Sequence, residues 1–250
     1  MFGIDDFSQQ ANIQLLKESL DKPSCVRIIC VSESVKLSLA ELGVNQEKLI
    51  TIYNGLDVES VEIAKKSTEK TIDIIYVGKL EPVKGTTLLL NSLKLLKEKF
   101  PQFKCLIVGQ GREDDSIQSL IKIFGLEENI TVLPSLKNGK LVKAISESRV
   151  LVSTSYSESF GLAIAEAMLA GTPVVVPNIE GPLEVIDNGN CGLFYNQGDT
   201  GDICLKLVKA LSMEQTELTE LTSKAKKFAT DNFNLKDKAI EFANLVTEVT

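Results

Sequence analysis

The chain has 250 residues, 44% of them hydrophobic, a formal charge of −7 and no histidine. That length allows one large domain, or one domain with part of another. An acidic balance without a basic run excludes a nucleic-acid partner, and the missing imidazole removes histidine acid–base chemistry and histidine metal ligation. Chemistry is left to carboxylates, lysines, hydroxyls and backbone groups. Five cysteines, Cys25, Cys30, Cys105, Cys191 and Cys204, form no Cys-x-x-Cys pair and read as reduced thiols of a cytoplasmic protein. Asp5 and Asp6 stand where a signal sequence would be apolar. No run approaches the roughly 18 apolar residues of a membrane span.

In chain order, Val26–Val31 reads as a strand and Ser34–Leu42 as a helix stopped by Gly43. Leu49–Tyr53 is a second strand, closed by Asn54-Gly55, and residues 58–70 are a polar connector. A clearer series follows. Ile72–Val77 is a strand ending in Gly78, and Thr86–Lys99 a helix with Leu88, Leu89, Leu93 and Leu96 on one side. Cys105–Val108 is a strand ending in Gly109-Gln110-Gly111. Ile117, Leu120, Ile121 and Phe124 form one helical stripe. Ile130–Leu133 is a strand stopped by Pro134, Lys140–Ser148 a helix, Val150–Thr154 a strand, and Phe160–Ala170 a helix stopped by Gly171. Pro173–Val176 is a strand, and from Asp199 the chain is helical in three pieces. Such alternation predicts an α/β fold, a Rossmann-like parallel sheet flanked by helices, over residues 71–230. Ligands then sit past the carboxyl ends of the strands, at the loops after Val77, Val108, Leu133, Thr154 and Val176.

Three loops carry candidate chemistry. Gly78-Lys79 through Lys84-Gly85 brackets a turn with two ammonium groups, suited to an anion or to plain solvation. Gly109-Gln110-Gly111 resembles the start of a dinucleotide fingerprint, but Asp114 stands where the third glycine would be, so a tight turn is the default. Glu113-Asp114-Asp115 reads as ordinary helix-start charge rather than a metal site. The strongest segment is Ser155 to Met168. A polar loop ends at Glu158-Ser159 and a helix opens at Phe160-Gly161, where free N–H groups suit a diphosphate. Glu166 lies about 8 Å down that helix from Gly161, so Glu158 and Glu166 could bracket an extended ligand.

Five pieces in order then carry a resemblance: Val77-Gly78 with Lys84-Gly85, Val108-Gly109-x-Gly111, Glu158-Ser159-Phe160-Gly161-Leu162 with Glu166-Ala167-Met168, Gly171-Thr172-Pro173-Val174-Val175, and Glu184 with Gly189-x-x-Gly192-Leu193. Together they resemble the retaining GT-B glycosyltransferases of family 4, the glycosyl transferases group 1 or glycogen-synthase-like group. The resemblance implies sugar transfer from a nucleoside diphosphate sugar, most often a UDP-sugar, with retained anomeric configuration and no metal or other cofactor for the chemistry. It implies that Lys79 and Lys84 hold the diphosphate, with Lys79 standing for the usual arginine and lacking its bidentate fork. Glu158 takes hydroxyls of the transferred sugar and Glu166 those of the ribose. Gly78, Gly109, Gly111, Ser159, Phe160, Gly161 and Leu162 complete the donor site, with the base near Leu133–Leu136.

Family members begin with a complete acceptor-binding domain. Residues 1–57 resemble only its last helix, strand, helix and strand, ending in Ile52-Tyr53-Asn54-Gly55-Leu56-Asp57. The expected layout is therefore a remnant of that domain (1–57), the connector (58–70), the nucleotide-sugar domain (71–230), and a last helix (231–250) that packs back on the N-terminal part. A sugar or lipid-linked acceptor, met peripherally at the membrane, would bind through the missing half. The alternative is a non-catalytic nucleotide-sugar-binding module, or a split-enzyme subunit that needs a partner. Uncovered N-terminal strands would favour self-association.

Overall fold

The computed structural model describes residues 14–20, 22–64, 69–136 and 139–249. The first 13 residues of the expected remnant and residues 65–68 of the expected connector lie outside the described residues. Two parallel units lie along the chain. In the smaller, β1 (Ile28–Cys30) pairs in parallel with β2 (Leu49–Thr51), joined through helix α1 (Glu33–Glu41). Both strands are shorter than their apolar runs predict. Ser32 caps α1, its hydroxyl accepting from Val35 N. Only Cys30, Val44 and Leu49 are fully buried in this unit's own core.

The larger unit is a six-stranded, wholly parallel sheet. Its strands are β3 (Ile72–Val77), β4 (Cys105–Val108), β5 (Ile130–Leu133), β6 (Ser148–Val152), β7 (Val174–Pro177) and β8 (Leu193–Tyr195). They are ordered β5-β4-β3-β6-β7-β8. Because side chains alternate across a strand, Ile74 faces one core and Ile75 the other, and Val175 opposes Val174 and Val176. On the first face lie α3 (Thr86–Lys99), α4 (Asp114–Ile123) and α8 (Thr200–Leu211); on the second lie α2 (Val58–Ala64), α5 (Gly139–Ser146), α6 (Leu162–Ala170), α7 (Glu180–Val185) and α9 (Gln215–Phe233). Leu89, Leu93 and Leu96 show no exposure at all, and burying each such side chain contributes about 1.5–3 kcal/mol.

Two segments differ from the sequence reading. The expected connector begins as helix α2. Asp57 caps it, accepting from Ser60 N at 3.0 Å, and Val61 is buried with Leu56 in the second core. Its one apolar face was hidden among Glu59, Ser60 and Glu62. The three-residue strand β8 and the six-residue helix α7 also go beyond the sequence reading, since runs this short carry too little period to read. The last helix, α10 (Leu235–Val249), starts where Leu56 N and Phe233 O bond at 2.7 Å. Its first turn meets α2 and the end of the small unit: Lys236 pairs with Glu59 of α2, and Lys238 lies over the Tyr53 ring.

Candidate functional site

β3 and β6 are neighbours in the sheet but the first and fourth strands of the large unit, so the strand order reverses between them. Their exit loops leave side by side and open a crevice. The β3 loop runs from Gly78 to Gly85 and closes with a 3₁₀ turn over Pro82–Lys84. Two buried donors fix its end. The Tyr76 hydroxyl donates to the Lys84 carbonyl at 3.3 Å, and the Thr154 hydroxyl donates to the same oxygen at 3.1 Å. Burial, aided by the carboxylates Glu113 and Glu158, pushes the Tyr76 phenol up to about 12, so it stays a donor at neutral pH. The Tyr156 N–H donates to Val83 O at 2.8 Å and ties the two loops together. Gly85 adopts φ 66 against Thr154, where a Cβ would collide with the Thr154 carbonyl oxygen.

This anchoring aims one side chain. Lys84 Nζ donates to Glu158 Oε2 at 2.6 Å, with the two side chains 25% and 21% exposed. The sequence-predicted lysine and first glutamate thus meet across the crevice. Helix α6 opens beside them. Its N-cap is Gly161, which has no side chain to cap the first-turn N–H groups. Leu162 and Ala163 line a cleft of about 520 Å³ that also contains Lys84, Glu158, Ser159 and Glu166. Burial raises the Glu166 carboxyl above the ordinary glutamate range. Phe160 borders the same cleft, while its ring anchors the loop from beneath. It is 2% exposed, with ring centroids 5.1 Å from Phe233 and 6.1 Å from Tyr53.

A second cleft of about 760 Å³ adjoins the first and shares Val77, Gly78 and Lys79 with it. Exposed Lys79 stands where the two meet. Gly109 and Gly111 form its floor; a Cβ on Gly109 would collide with the Gly78 carbonyl oxygen, so only glycine lets the loops approach this closely. Leu133, expected beside the ligand, ends β5 and accepts from Gly109 N at 2.9 Å. The wall is made by Ser135 and Leu136, one turn of chain further on. In the acidic run, Asp114 Oδ1 accepts from Gly111 N at 2.8 Å. Among the described residues, no cluster of three or more acidic or cysteine side chains could hold a metal ion.

Three participants escaped the sequence reading. Asn54, taken only as a turn residue, lines the first cleft. Glu184, quoted only within a motif, accepts from the N–H groups of Glu33 (2.8 Å) and Ser34 (3.2 Å) at the start of α1. It also accepts from the Tyr53 hydroxyl at 2.7 Å. Burial first, then that bond, raises the Tyr53 phenol well above its usual value.

Residues 58–229, from α2 through most of α9, match the family model described as glycosyl transferases group 1. The chain belongs to that family. Relatives agree. It is 32% identical over 199 residues to the O-antigen chain mannosyltransferase RfbU of Salmonella typhimurium, covering 78% of this chain and 53% of RfbU. It is 30% identical over 173 residues to the D-inositol 3-phosphate glycosyltransferase of Rhodococcus jostii, covering 66% and 38%. The chain spans about half the length of the curated relatives it matches. HepE of Anabaena, solved with UDP and glucose, superposes with a TM-score of 0.83 at 21% identity, covering 95% of this chain and 67% of HepE. TarM of S. aureus, solved with UDP, gives 0.80 at 22% identity, covering 98% and 48%. These structures share the GT-B glycosyltransferase architecture of a parallel sheet flanked by helices. Among the described residues, no helix of this group 1 chain is long and apolar enough to cross a membrane.

Proposed function

We propose that this chain is the donor-binding part of a retaining glycosyltransferase that moves a sugar from a nucleoside diphosphate, UDP by preference, to a polysaccharide or glycoconjugate acceptor. One observation carries the reading. Two loops from opposite sides of the sheet's reversal point bring Lys84 to 2.6 Å from Glu158, beside a helix start with no side-chain cap. In this reading the diphosphate lies between Lys79, Lys84 and the first turn of α6, where fixed positive charge stabilises the negative charge that builds as the glycosidic bond breaks. The leaving phosphate takes the acceptor's proton on the same face, which keeps the anomeric configuration without a protein nucleophile. Two ammonium groups and a helix N-terminus supply the charge a metal would otherwise bring. Glu166 takes the ribose hydroxyls, Glu158 the sugar hydroxyls, and the base enters the second cleft by Ser135 and Leu136. The UDP in HepE and TarM and the sugar transfer named for RfbU support a nucleotide-sugar donor for this reading.

The test is a titration of two variants against two ligands. Glu166→Ala weakens UDP and a UDP-sugar alike, because both carry the ribose. Glu158→Ala weakens the UDP-sugar alone and leaves UDP unchanged or tighter, since Lys84 is released from its ion pair. Losing a charged hydrogen-bond partner costs about 1.5–3 kcal/mol, or one to two decades of affinity. Equal losses of both ligands in Glu158→Ala would overturn the assignment of Glu158 to the sugar. No loss in any titration would remove the site altogether.

A further inference from the structure

Lys84 and Glu158 each have a ligand group to hold in the proposed reaction, yet each already holds the other. Lys84 Nζ donates to Glu158 Oε2 at 2.6 Å, and among the described residues this is the only side-chain bond of either. The backbones behind the pair are fixed. The Lys84 carbonyl takes the Tyr76 and Thr154 hydroxyls. Glu158 is backed by Gly181, where a Cβ would stand 2.2 Å from the Glu158 carbonyl oxygen. A change of partner therefore falls to the side chains, and the flexible stem of lysine allows it without moving the loops.

The side chains of the pair are 25% and 21% exposed, so water and salt screen it less than an open surface pair. A sugar hydroxyl is a neutral donor. It binds a carboxylate less strongly than an ammonium does, so a sugar alone does not displace Lys84 from Glu158. A diphosphate is multiply charged and does compete for the ammonium. The first-turn N–H groups of α6, which no side chain caps, draw the anion to the same place. Once Lys84 turns to phosphate, Glu158 is a carboxylate without its counter-charge in a partly closed cleft, which is unfavourable. Sugar hydroxyls then supply the donors it lacks.

We propose that Lys84 determines which form of the sugar the cleft accepts: it blocks Glu158 against a free sugar and releases it when a diphosphate takes the ammonium, so that diphosphate and sugar bind cooperatively. This rests on the reading of the first cleft as the donor site. Coupling between two ligands is reciprocal, so the sugar tightens the diphosphate by the factor by which the diphosphate tightens the sugar. A lysine that bonded Glu158 and phosphate together would leave the affinity for sugar indifferent to the diphosphate.

The experiment is saturation-transfer NMR on the whole chain with glucose, galactose, mannose and N-acetylglucosamine. Each is titrated alone, with saturating UDP, and with inorganic pyrophosphate at a concentration that displaces UDP. At least one hexose is expected to bind about tenfold or more tightly with UDP than without it. Pyrophosphate acts in the same direction, because the phosphates and not the nucleoside take Lys84. In Lys84→Gln the block is gone: with UDP raised to saturate the variant, hexose affinity changes by no more than about twofold, while UDP itself binds about tenfold more weakly. The wild-type titrations stand on their own if the variant does not fold. The proposal is overturned, with the donor reading intact, if UDP binds and no hexose gains affinity from it. It is equally overturned if pyrophosphate displaces UDP yet leaves hexose binding unchanged, or if the coupling survives Lys84→Gln. Failure of UDP to bind, or of pyrophosphate to displace it, removes the donor reading and the proposal with it.

Discussion

The two parallel units of this molecule are built on the same plan and held together by different means. In the large unit, β4 and β7 are buried along their whole length, and helices cover both sheet faces. In the small unit, β1 and β2 have one fully buried residue each, and Val26, Ile29 and Leu37 are exposed. The large unit is stabilised by apolar area. The small one has three fully buried core residues and is fastened to the large one by directional bonds, chiefly the Glu184 carboxylate on α1 and Tyr53. A parallel sheet needs cover on both faces; where cover is thin, polar tethers set the geometry.

The largest expected effect separates the two cores. Leu93→Ala in α3 removes a side chain with no exposure and lowers stability by about 2–5 kcal/mol. Leu49→Ala moves the main unfolding midpoint by about 0.5 kcal/mol or less and instead speeds amide exchange in β1 and β2, because a weakly covered unit opens locally. Denaturant unfolding with segment-resolved hydrogen exchange distinguishes them. Equal midpoint shifts would mean the units unfold as one and the comparison is false.

A smaller effect addresses the tether. Glu184→Gln keeps the shape but weakens charge-assisted bonds worth about 1.5–3 kcal/mol each. Exchange at the Glu33 and Ser34 amides rises by about tenfold or more, while UDP affinity stays within about twofold. Unchanged exchange would show that packing alone holds α1.

The smallest effect is a pH dependence inside the large unit. Burial raises the Glu166 carboxyl in the folded chain. The folded state therefore holds this proton more tightly than the unfolded state. The group's contribution to stability is full below the unfolded value and declines as pH rises through the raised folded one. The ionised carboxylate accepts more strongly from ribose hydroxyls than the neutral acid, so UDP affinity falls as pH drops through that raised value, by less than about tenfold. Calorimetry across the acidic range reads the step, and Glu166→Gln removes it. A step that persists in the variant belongs to another group.

Much of the large unit is legible in the sequence because its signals are redundant. Ile72–Val77, Cys105–Val108, Ile130–Leu133 and Thr86–Lys99 appear with the boundaries read from apolar runs and turn residues. The pairing of Lys84 with Glu158 could be expected only from motif order, since 74 residues separate them and no local pattern brings them together. Tyr76 and Thr154 look like strand residues, and their grip on the Lys84 carbonyl exists only once β3 and β6 are neighbours. Glu184 is invisible for the same reason: its partners at Glu33 and Ser34 lie about 150 residues earlier. Helix α2 was readable in hindsight from Asp57 followed by Ser60, a capping signal outweighed by the charge around it.

The placement of the aromatic hydroxyls has an optical consequence. The chain has four tyrosines and no tryptophan. Tyr53 bonds Glu184, Tyr76 lies under the Lys84 loop, Tyr156 ties the β6 loop to Val83, and Tyr195 donates to Ser153 O at the end of β8. All four stand at the carboxyl edge of a sheet, so the tyrosine emission of the protein originates at the edge where the clefts open. A phenol bonded to a carboxylate loses its proton readily on excitation and emits weakly, so Tyr53 emission brightens when its bond to Glu184 breaks. Light from this molecule therefore reports on the Tyr53–Glu184 bond and on the first cleft, which Tyr76 lines, with no label attached.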